Sequence, residues 1–276
     1  DQRPADLAAI EKITHHLAPR GPDACGFHSS GPLAFGHRRL KIMDLAPASG
    51  QPMIDHQLGL SLVFNGAIYN YPELRTELQA LGYQFHSDGD TEVLLKGYHA
   101  WGEQLLPKLN GMFAFAIWER DRERLFLARD RLGIKPLYLT QDGARLRFAS
   151  TLPALLQGGG IDTGLDPVAL NHYLNFHAVV PAPRTLLRGV EKLPAASWLR
   201  LDLNGNREQQ CWWQLEFGPH RDEITLELAD WRDRVLDGLR EAVSIRQRAA
   251  VDVGVLLSGG VDSSLLVGLL REAGVD

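Results

Sequence analysis

The stretch Ser258-Gly259-Gly260-Val261-Asp262-Ser263-Ser264 limits what this chain can fold into more than any other. It follows an apolar run, Gly254 to Leu257, that suits a buried parallel strand, and it precedes Leu265 to Leu270, which reads as a helix. A strand, a glycine turn and a helix N-terminus turn unpaired N–H groups and the positive end of the helix dipole toward one point, which makes an anion site. Gly259 and Gly260 let the backbone approach an oxyanion closely, and Ser258, Ser263 and Ser264 add hydroxyl donors. Asp262 could hold a metal ion that bridges phosphates. The plainer alternative is a capped helix after a strand, with Asp262 or Ser263 as N-cap.

No Gly-Lys-Ser/Thr follows the glycines, so this is not a Walker A loop. The stretch resembles the pyrophosphate loop of ATP pyrophosphatases, which adenylate a carboxylate and release pyrophosphate. A single strand and helix cannot bury their own faces. A nucleotide domain beginning near residue 228 is therefore only started within these 276 residues, and the chain is expected to be a piece of a longer protein.

Bulk numbers exclude several classes. Net charge is −5, so no basic surface points to nucleic acid or an anionic membrane. No apolar run approaches the ~20 residues of a membrane span. The two cysteines, Cys25 and Cys211, argue against a disulfide framework and suit a reducing cytoplasm. The ten histidines form no zinc-type cluster.

Several local signals admit two readings. Asn65-Gly66 between apolar runs is a strong hairpin signal, although the Asn65 amide and the Gly66 N–H could also donate to an oxyanion. Asp90 is a natural N-cap for a helix over 91–101, yet a carboxylate there could grip an ammonium. Arg38 and Arg39 read as a solvated pair, though a strand would send them to opposite faces and free one for a carboxylate. Cys25 reads as a small buried residue rather than a nucleophile. Residues 128–137 read as a charged loop, and Tyr83-Gln84-Phe85 as a short strand. Further helices are expected over 5–17, 71–81, 151–157 and 166–177 and from Trp231, with strands at 60–64, 112–118, 124–128, 137–140 and 145–149. A hairpin arm is expected over 191–203, turning at Asn204-Gly205.

The order of the motifs says more than any one of them. Arg20-Gly21-Pro22-Asp23 is followed by Gly36-His37-Arg38-Arg39-Leu40, Gln51-Pro52-Met53, Asn65-Gly66 and Asp90-Thr91-Glu92. Then come Gly111 to Ala116, Ala128-Arg129-Asp130-Arg131 with Gly133 to Tyr138, and Ser258 to Ser264. This series resembles the glutamine-hydrolysing asparagine synthetase family from about residue 5 onward. Ala48 to Met53, Tyr98 to Gly102 and Phe176 to Pro181 are most similar to its N-acetylglutaminylglutamine amidotransferase branch.

The resemblance implies an N-terminal-nucleophile αββα sandwich over 1–165 that hydrolyses glutamine. It further implies a connecting helix and hairpin over 166–227 and the start of an α/β ATP pyrophosphatase domain over 228–276. Arg39 with Leu40 would bind the glutamine α-carboxylate, Asp90 its ammonium, and Asn65 and Gly66 would form the oxyanion hole. Leu257 would lie near adenine, while Ser258, Gly259, Gly260, Asp262 and Ser263 would cradle pyrophosphate, with Asp262 on Mg²⁺. Substrates would be ATP, glutamine and an acceptor carboxylate, either aspartate or N-acetylglutaminylglutamine. Oligomeric state is not legible, a homodimer being one option.

Two departures stand out. The family's nucleophile is a cysteine at the mature N-terminus, whereas the first residue here is Asp1. Ala67 stands where asparagine synthetases carry a glutamate after Asn-Gly. The competing expectations are an ammonia-dependent or lactam-synthetase-like ligase with an inert glutaminase domain, and a non-enzymatic glutamine sensor.

Overall fold

The computed structural model describes residues 4–143, 145–218 and 226–274. It divides into two compact units, one of Asp1–Lys41 with Ala46–Gln214, the other of Ile42–Leu45 with Leu215–Asp276.

The first unit contains helix α1 (Leu7–His16) and strands β1 (Ala24–Ser30), β2 (Leu33–Arg39), β3 (Met53–Asp55) and β4 (Leu60–Ile68). Helices α2 (Tyr71–Ala80), α3 (Asp90–Trp101) and α4 (Leu105–Lys108) follow, then strands β5 (Gly111–Glu119), β6 (Arg124–Arg129), β7 (Tyr138–Asp142) and β8 (Arg145–Ala149). Helices α5 (Leu152–Leu156) and α6 (Pro167–Asn175) precede strands β9 (Glu191–Lys192), β10 (Ser197–Asp202) and β11 (Arg207–Cys211).

These strands form a six-stranded sheet in the order β11-β10-β6-β5-β4-β3, a β1-β2 hairpin and a β8-β7-β9 sheet. All the pairings are antiparallel. The six-stranded sheet is apolar on both faces because its central strands alternate two hydrophobic sets. Leu62, Phe64, Ile68, Phe113, Phe115 and Ile117 meet Leu74 and Leu78 of α2 and Val93, Leu94 and Tyr98 of α3. Val63, Ala114, Ala116 and Leu127 face Phe35, Leu137, Leu139 and Leu193 in the opposing layer. Ile13 of α1 and Ala154 and Leu155 of α5 close the outer side. The layering is the αββα sandwich expected from the resemblance. The strands at Ser197–Asp202 and Arg207–Cys211 extend the six-stranded sheet, so segment 166–214 belongs to this unit.

Local chemistry explains several helix boundaries. Asp6 Oδ1 accepts from the Ala9 N–H at 3.0 Å and opens α1. Asp166 Oδ1 accepts from Val168 and Ala169, with Pro167 in the first helical position of α6. Gly82, at φ +93°, ends α2.

Elsewhere the structure corrects the sequence reading. Asn65-Gly66 makes no turn: both lie inside β4, opposite Ala114 and Phe113 of β5. Asp90 does not cap α3: it is the first residue of that helix, with Gly89 at the cap position. Tyr83-Gln84-Phe85 forms no strand. The Phe85 ring instead packs against Arg75 and Lys96, at 4.4 Å and 4.7 Å from its centroid, and no described strand pairs with this segment. Residues 130–137 do form a loop between β6 and β7, but its charged start is not solvated, since Arg129 and Asp130 are buried and bonded to backbone groups. Arg129 donates to the carbonyls of Gly133, Lys135 and Leu193, and Asp130 accepts from Phe113, Ile134 and Lys135. Cys25 is exposed on β1.

In the second unit, α7 (Leu228–Arg246) and α8 (Val261–Glu272) are joined by an Arg240–Glu272 ion pair of 3.0 Å, and Val243 and Leu269 are buried. Gly254 to Leu257 carries no strand, and Leu256 is 94% exposed. A strand needs a neighbour to take its N–H and C=O groups, and no strand is described within this unit.

Candidate functional site

The site begins where β3 stops. The last pair between β3 and β4 is Met53 with Leu62, so β4 runs on toward Ile68 with one edge unpaired. The Tyr69 N–H donates to the Asn110 carbonyl at 2.7 Å, on the β5 side. Backbone groups alternate along a strand, so Phe64, Gly66 and Ile68 turn theirs to the open edge. The Phe64 N–H donates to Gln51 Oε1 at 2.6 Å, and the Ile68 N–H to Asp90 Oδ2 at 2.9 Å. The Gly66 N–H between them has no partner among the described residues.

Gly66 is required sterically: a Cβ there would lie 2.1 Å from the Met112 carbonyl oxygen and 2.8 Å from Phe113 Cα. Asn65, one residue earlier, sends its side chain toward the opposing sheet. There it lines a cavity of about 280 Å³ with Phe35, His37, Ala114 and Phe148. Its amide also has no hydrogen-bond partner among the described residues. Two adjacent donors with nothing to donate to can hold an oxygen that gains negative charge.

Asp90 and Arg39 supply opposite charges beside this edge. Asp90 is 4% exposed, and burial raises its carboxyl to about 6 against the pull of backbone donors and of Arg39. A buried carboxylate that remains this costly to ionise favours a cationic ligand. Arg39 ends β2, is itself buried, and donates to the Ala46 carbonyl at 2.9 Å. Its neighbour Arg38 turns the other way, to the Gly21 carbonyl at 3.1 Å, as strand alternation requires. Leu40 is 53% exposed. The structure thus sets Gly66 and Asp90 on one strand edge through Ile68, with Arg39 near enough to act on the Asp90 charge, while Asn65 turns its side chain to the cavity beside His37.

Sequence reading assigned no role to the residues that hold this edge in place. His37 Nε2 bonds the Phe64 carbonyl at 3.2 Å, and the amide of Gln51 spans Phe64 and Thr91. Glu92 accepts from the N–H groups of His86 and Ser87 and pairs with Lys96, which donates to the Gln84 carbonyl. Burial works against the Glu92 charge, but the Lys96 and Ser87 bonds win and hold its carboxyl below the usual range. These contacts fix loop 84–89 and with it the start of α3. Gln51 and His37 both lie in the motifs quoted above, and that was their only signal.

The phosphate loop lies in the second unit. Gly260 caps α8 and Asp262 occupies its first turn. Gly259, at φ +82°, adopts the left-handed backbone that favours glycine. Ser258 Oγ and Ser263 Oγ are 3.0 Å apart, while Ser263 and Ser264 donate to the Gly260 carbonyl at 3.1 Å and 2.8 Å. Ser258, Gly259, Gly260, Asp262 and the apolar Leu257 are exposed. An exposed helix N-terminus with adjacent hydroxyls suits a phosphate chain. No cluster of three metal-binding side chains exists among the described residues. A single carboxylate, Asp262, suits a Mg²⁺ that takes its remaining ligands from phosphate and water.

No described residue takes the place of a nucleophile at this edge. Asp1 lies outside the described residues. Cys25 is exposed on β1, and Cys211 is exposed and donates to the Trp213 carbonyl. No described helix is long and apolar enough to cross a membrane.

Comparison with known proteins gives the family. Residues 1–213 match the glutamine amidotransferase domain family, and residues 234–274 match the asparagine synthase family. Asparagine synthetase [glutamine-hydrolyzing] 1 of Bacillus subtilis is 38% identical over 263 residues, covering 95% of this chain and 40% of that protein. A putative asparagine synthetase [glutamine-hydrolyzing] of Mycobacterium tuberculosis is 39% identical over 285 residues, covering 96% of this chain and 42% of that protein. The chain thus spans about two fifths of the length of these relatives. Among solved structures, glutamine phosphoribosylpyrophosphate amidotransferase of Bacillus subtilis aligns with a TM-score of 0.50 at 19% identity. That alignment covers 90% of this chain and 51% of that one and shows a shared fold.

Proposed function

This chain belongs to the glutamine amidotransferase family, and we propose that the complete protein is an ATP-dependent, glutamine-hydrolysing ligase of asparagine synthetase type. In this reading, Arg39 and Leu40 receive the α-carboxylate of glutamine and Asp90 its ammonium. A thiol attacks the side-chain amide carbon, and the carbonyl oxygen becomes an oxyanion held by Asn65 Nδ2 and the Gly66 N–H. Collapse of that intermediate releases ammonia and leaves a thioester, which water hydrolyses through a second oxyanion at the same donors. The observation that carries this reading is the pair of unpartnered donors at Asn65 and Gly66, flanked by buried groups of opposite charge.

The second half-reaction uses the loop before α8. Gly259, Gly260 and the hydroxyls of Ser258 and Ser263 bind the β- and γ-phosphates of ATP, beside the backbone of Leu257 near adenine. Asp262 would hold a Mg²⁺, which would supply positive charge beside the phosphates. An acceptor carboxylate attacks the α-phosphate, pyrophosphate leaves, and ammonia displaces AMP from the acyl adenylate. The acceptor is aspartate or N-acetylglutaminylglutamine, and the protein works in the cytoplasm.

Pyrophosphate release by the complete protein tests this with ATP and Mg²⁺, each acceptor in turn, and glutamine or ammonium as nitrogen source. Release with glutamine and one acceptor is expected. Release with ammonium alone would leave a ligase without a working glutaminase, and no release with any acceptor would overturn the ligase reading.

A further inference from the structure

Phe64 is held in a way its neighbours are not. It is the first residue of β4 beyond the β3 ladder whose backbone groups face the open edge, the last ladder pair being Met53 with Leu62. Continuing that register would set Gln51 opposite Phe64. Pro52 follows Gln51, and the Gln51 carbonyl instead points at β1, where a Cβ on Gly26 would lie 2.1 Å from it. The Gln51 side chain makes the missing ladder bond: its Oε1 accepts the Phe64 N–H at 2.6 Å. Its Nε2 lies 3.5 Å from Thr91 Oγ1, beside Asp90.

The Phe64 carbonyl, on the same edge, is 3.2 Å from His37 Nε2. A carbonyl can only accept, so the ring carries its proton on Nε2. Burial, helped by the Arg39 charge and opposed by the bond to the Phe64 carbonyl, lowers the His37 pKa to about 4, so the ring is neutral with a bare Nδ1. That nitrogen is buried without a partner among the described residues, which agrees with this tautomer. The next donor along the edge after the Phe64 carbonyl is the Gly66 N–H.

We propose that Gln51 and His37 are positioning residues for the glutaminase: by holding both backbone groups of Phe64 they fix the strand edge that presents the Gly66 N–H to the oxyanion. Gln51 also ties that edge to the start of α3, and so to Asp90. The proposal rests on the oxyanion reading above. Neither residue touches the reacting atoms, so each acts through the placement of Gly66.

The test uses the complete protein with Gln51→Leu, His37→Leu and His37→Gln. Glutamine in the last variant keeps an N–H donor near the Nε2 position. Gln51→Leu and His37→Leu are expected to lower kcat for glutamine hydrolysis by at least ~10-fold, short of the ~10²–10³-fold that follows loss of a donor itself. KM should change less than about threefold, and His37→Gln should recover most of the loss. Ammonia-dependent pyrophosphate release is the folding control. A rise in KM at constant kcat, an unchanged kcat, or a His37→Gln variant as slow as His37→Leu would overturn the proposal. Amide hydrogen exchange gives a readout independent of catalysis. The Phe64 amide should be protected in the parent and exchange faster in Gln51→Leu, and equal protection in both would refute the clamp. If the parent hydrolyses no glutamine, the functional reading fails on its own, while the exchange result still decides the clamp.

Discussion

Replacing Asp90 with asparagine should stabilise the fold above pH 6 while removing glutamine-dependent activity. Asp90 is 4% exposed, and burial raises its carboxyl from the usual 3.8 to about 6. Between those two values the unfolded chain has lost the proton while the folded chain keeps it. Stability therefore falls as pH rises through this window, and the loss is complete above pH 6. A rise from 3.8 to about 6 corresponds to ~3 kcal/mol. Asparagine keeps an oxygen to accept the Ile68 N–H and carries no charge, so the variant escapes that loss. The assay is denaturant unfolding of parent and variant from pH 3.5 to 8, read as the difference between the two curves, in which all other titrating groups cancel. The variant should gain ~3 kcal/mol relative to the parent across the window, nearly all of it between pH 4 and 6. A flat difference would refute the reasoning, because it would mean that Arg39 already satisfies the carboxylate. Asp90 would then be half of a structural ion pair and not a receptor for a substrate cation.

Arg39→Ala should raise KM for glutamine ~10–100-fold, as expected for loss of a charge-assisted bond, and leave ammonia-dependent synthesis intact. Equal loss of both activities in steady-state assays would remove Arg39 from the glutamine site. Gly66→Ala should destabilise the fold by ~1–3 kcal/mol in chemical denaturation, because the new methyl meets the Met112 carbonyl at 2.1 Å, and glutamine hydrolysis should fall with it. Asp262→Asn, at an exposed position, should leave the melting temperature unchanged and abolish pyrophosphate release with either nitrogen source. Retained release would show that Asp262 holds no essential metal.

Sequence periodicity located most of the helices and the central strands because each buries one face against a neighbour in the same unit. Leu74 and Leu78 under α2, and the alternation of Phe113 and Phe115 with Ala114 and Ala116 in β5, carry that signal directly. Asn65-Gly66 has the local chemistry of a hairpin turn, whereas here the glycine lets β4 and β5 approach, so only tertiary context separates the two readings. Asp90 is ambiguous for a similar reason. A carboxylate at a helix start suggests a cap, and only the tertiary structure shows it accepting the Ile68 N–H across a gap of 22 residues. Gly254 to Leu257 has strand composition, but composition cannot say whether a neighbouring strand stands beside it. The roles of Gln51 and His37 were illegible because each depends on one hydrogen bond to Phe64 from a segment distant in sequence.

The most direct test of the account is the kcat for glutamine hydrolysis by the complete protein after Asn65→Ala. The account predicts a fall of ~10²–10³-fold with KM nearly unchanged, because the amide donates to an oxygen only once it becomes an oxyanion. Ammonia-dependent pyrophosphate release should persist in the same preparation. A kcat within twofold of the parent would contradict the assignment of Asn65 and Gly66 as the oxyanion donors.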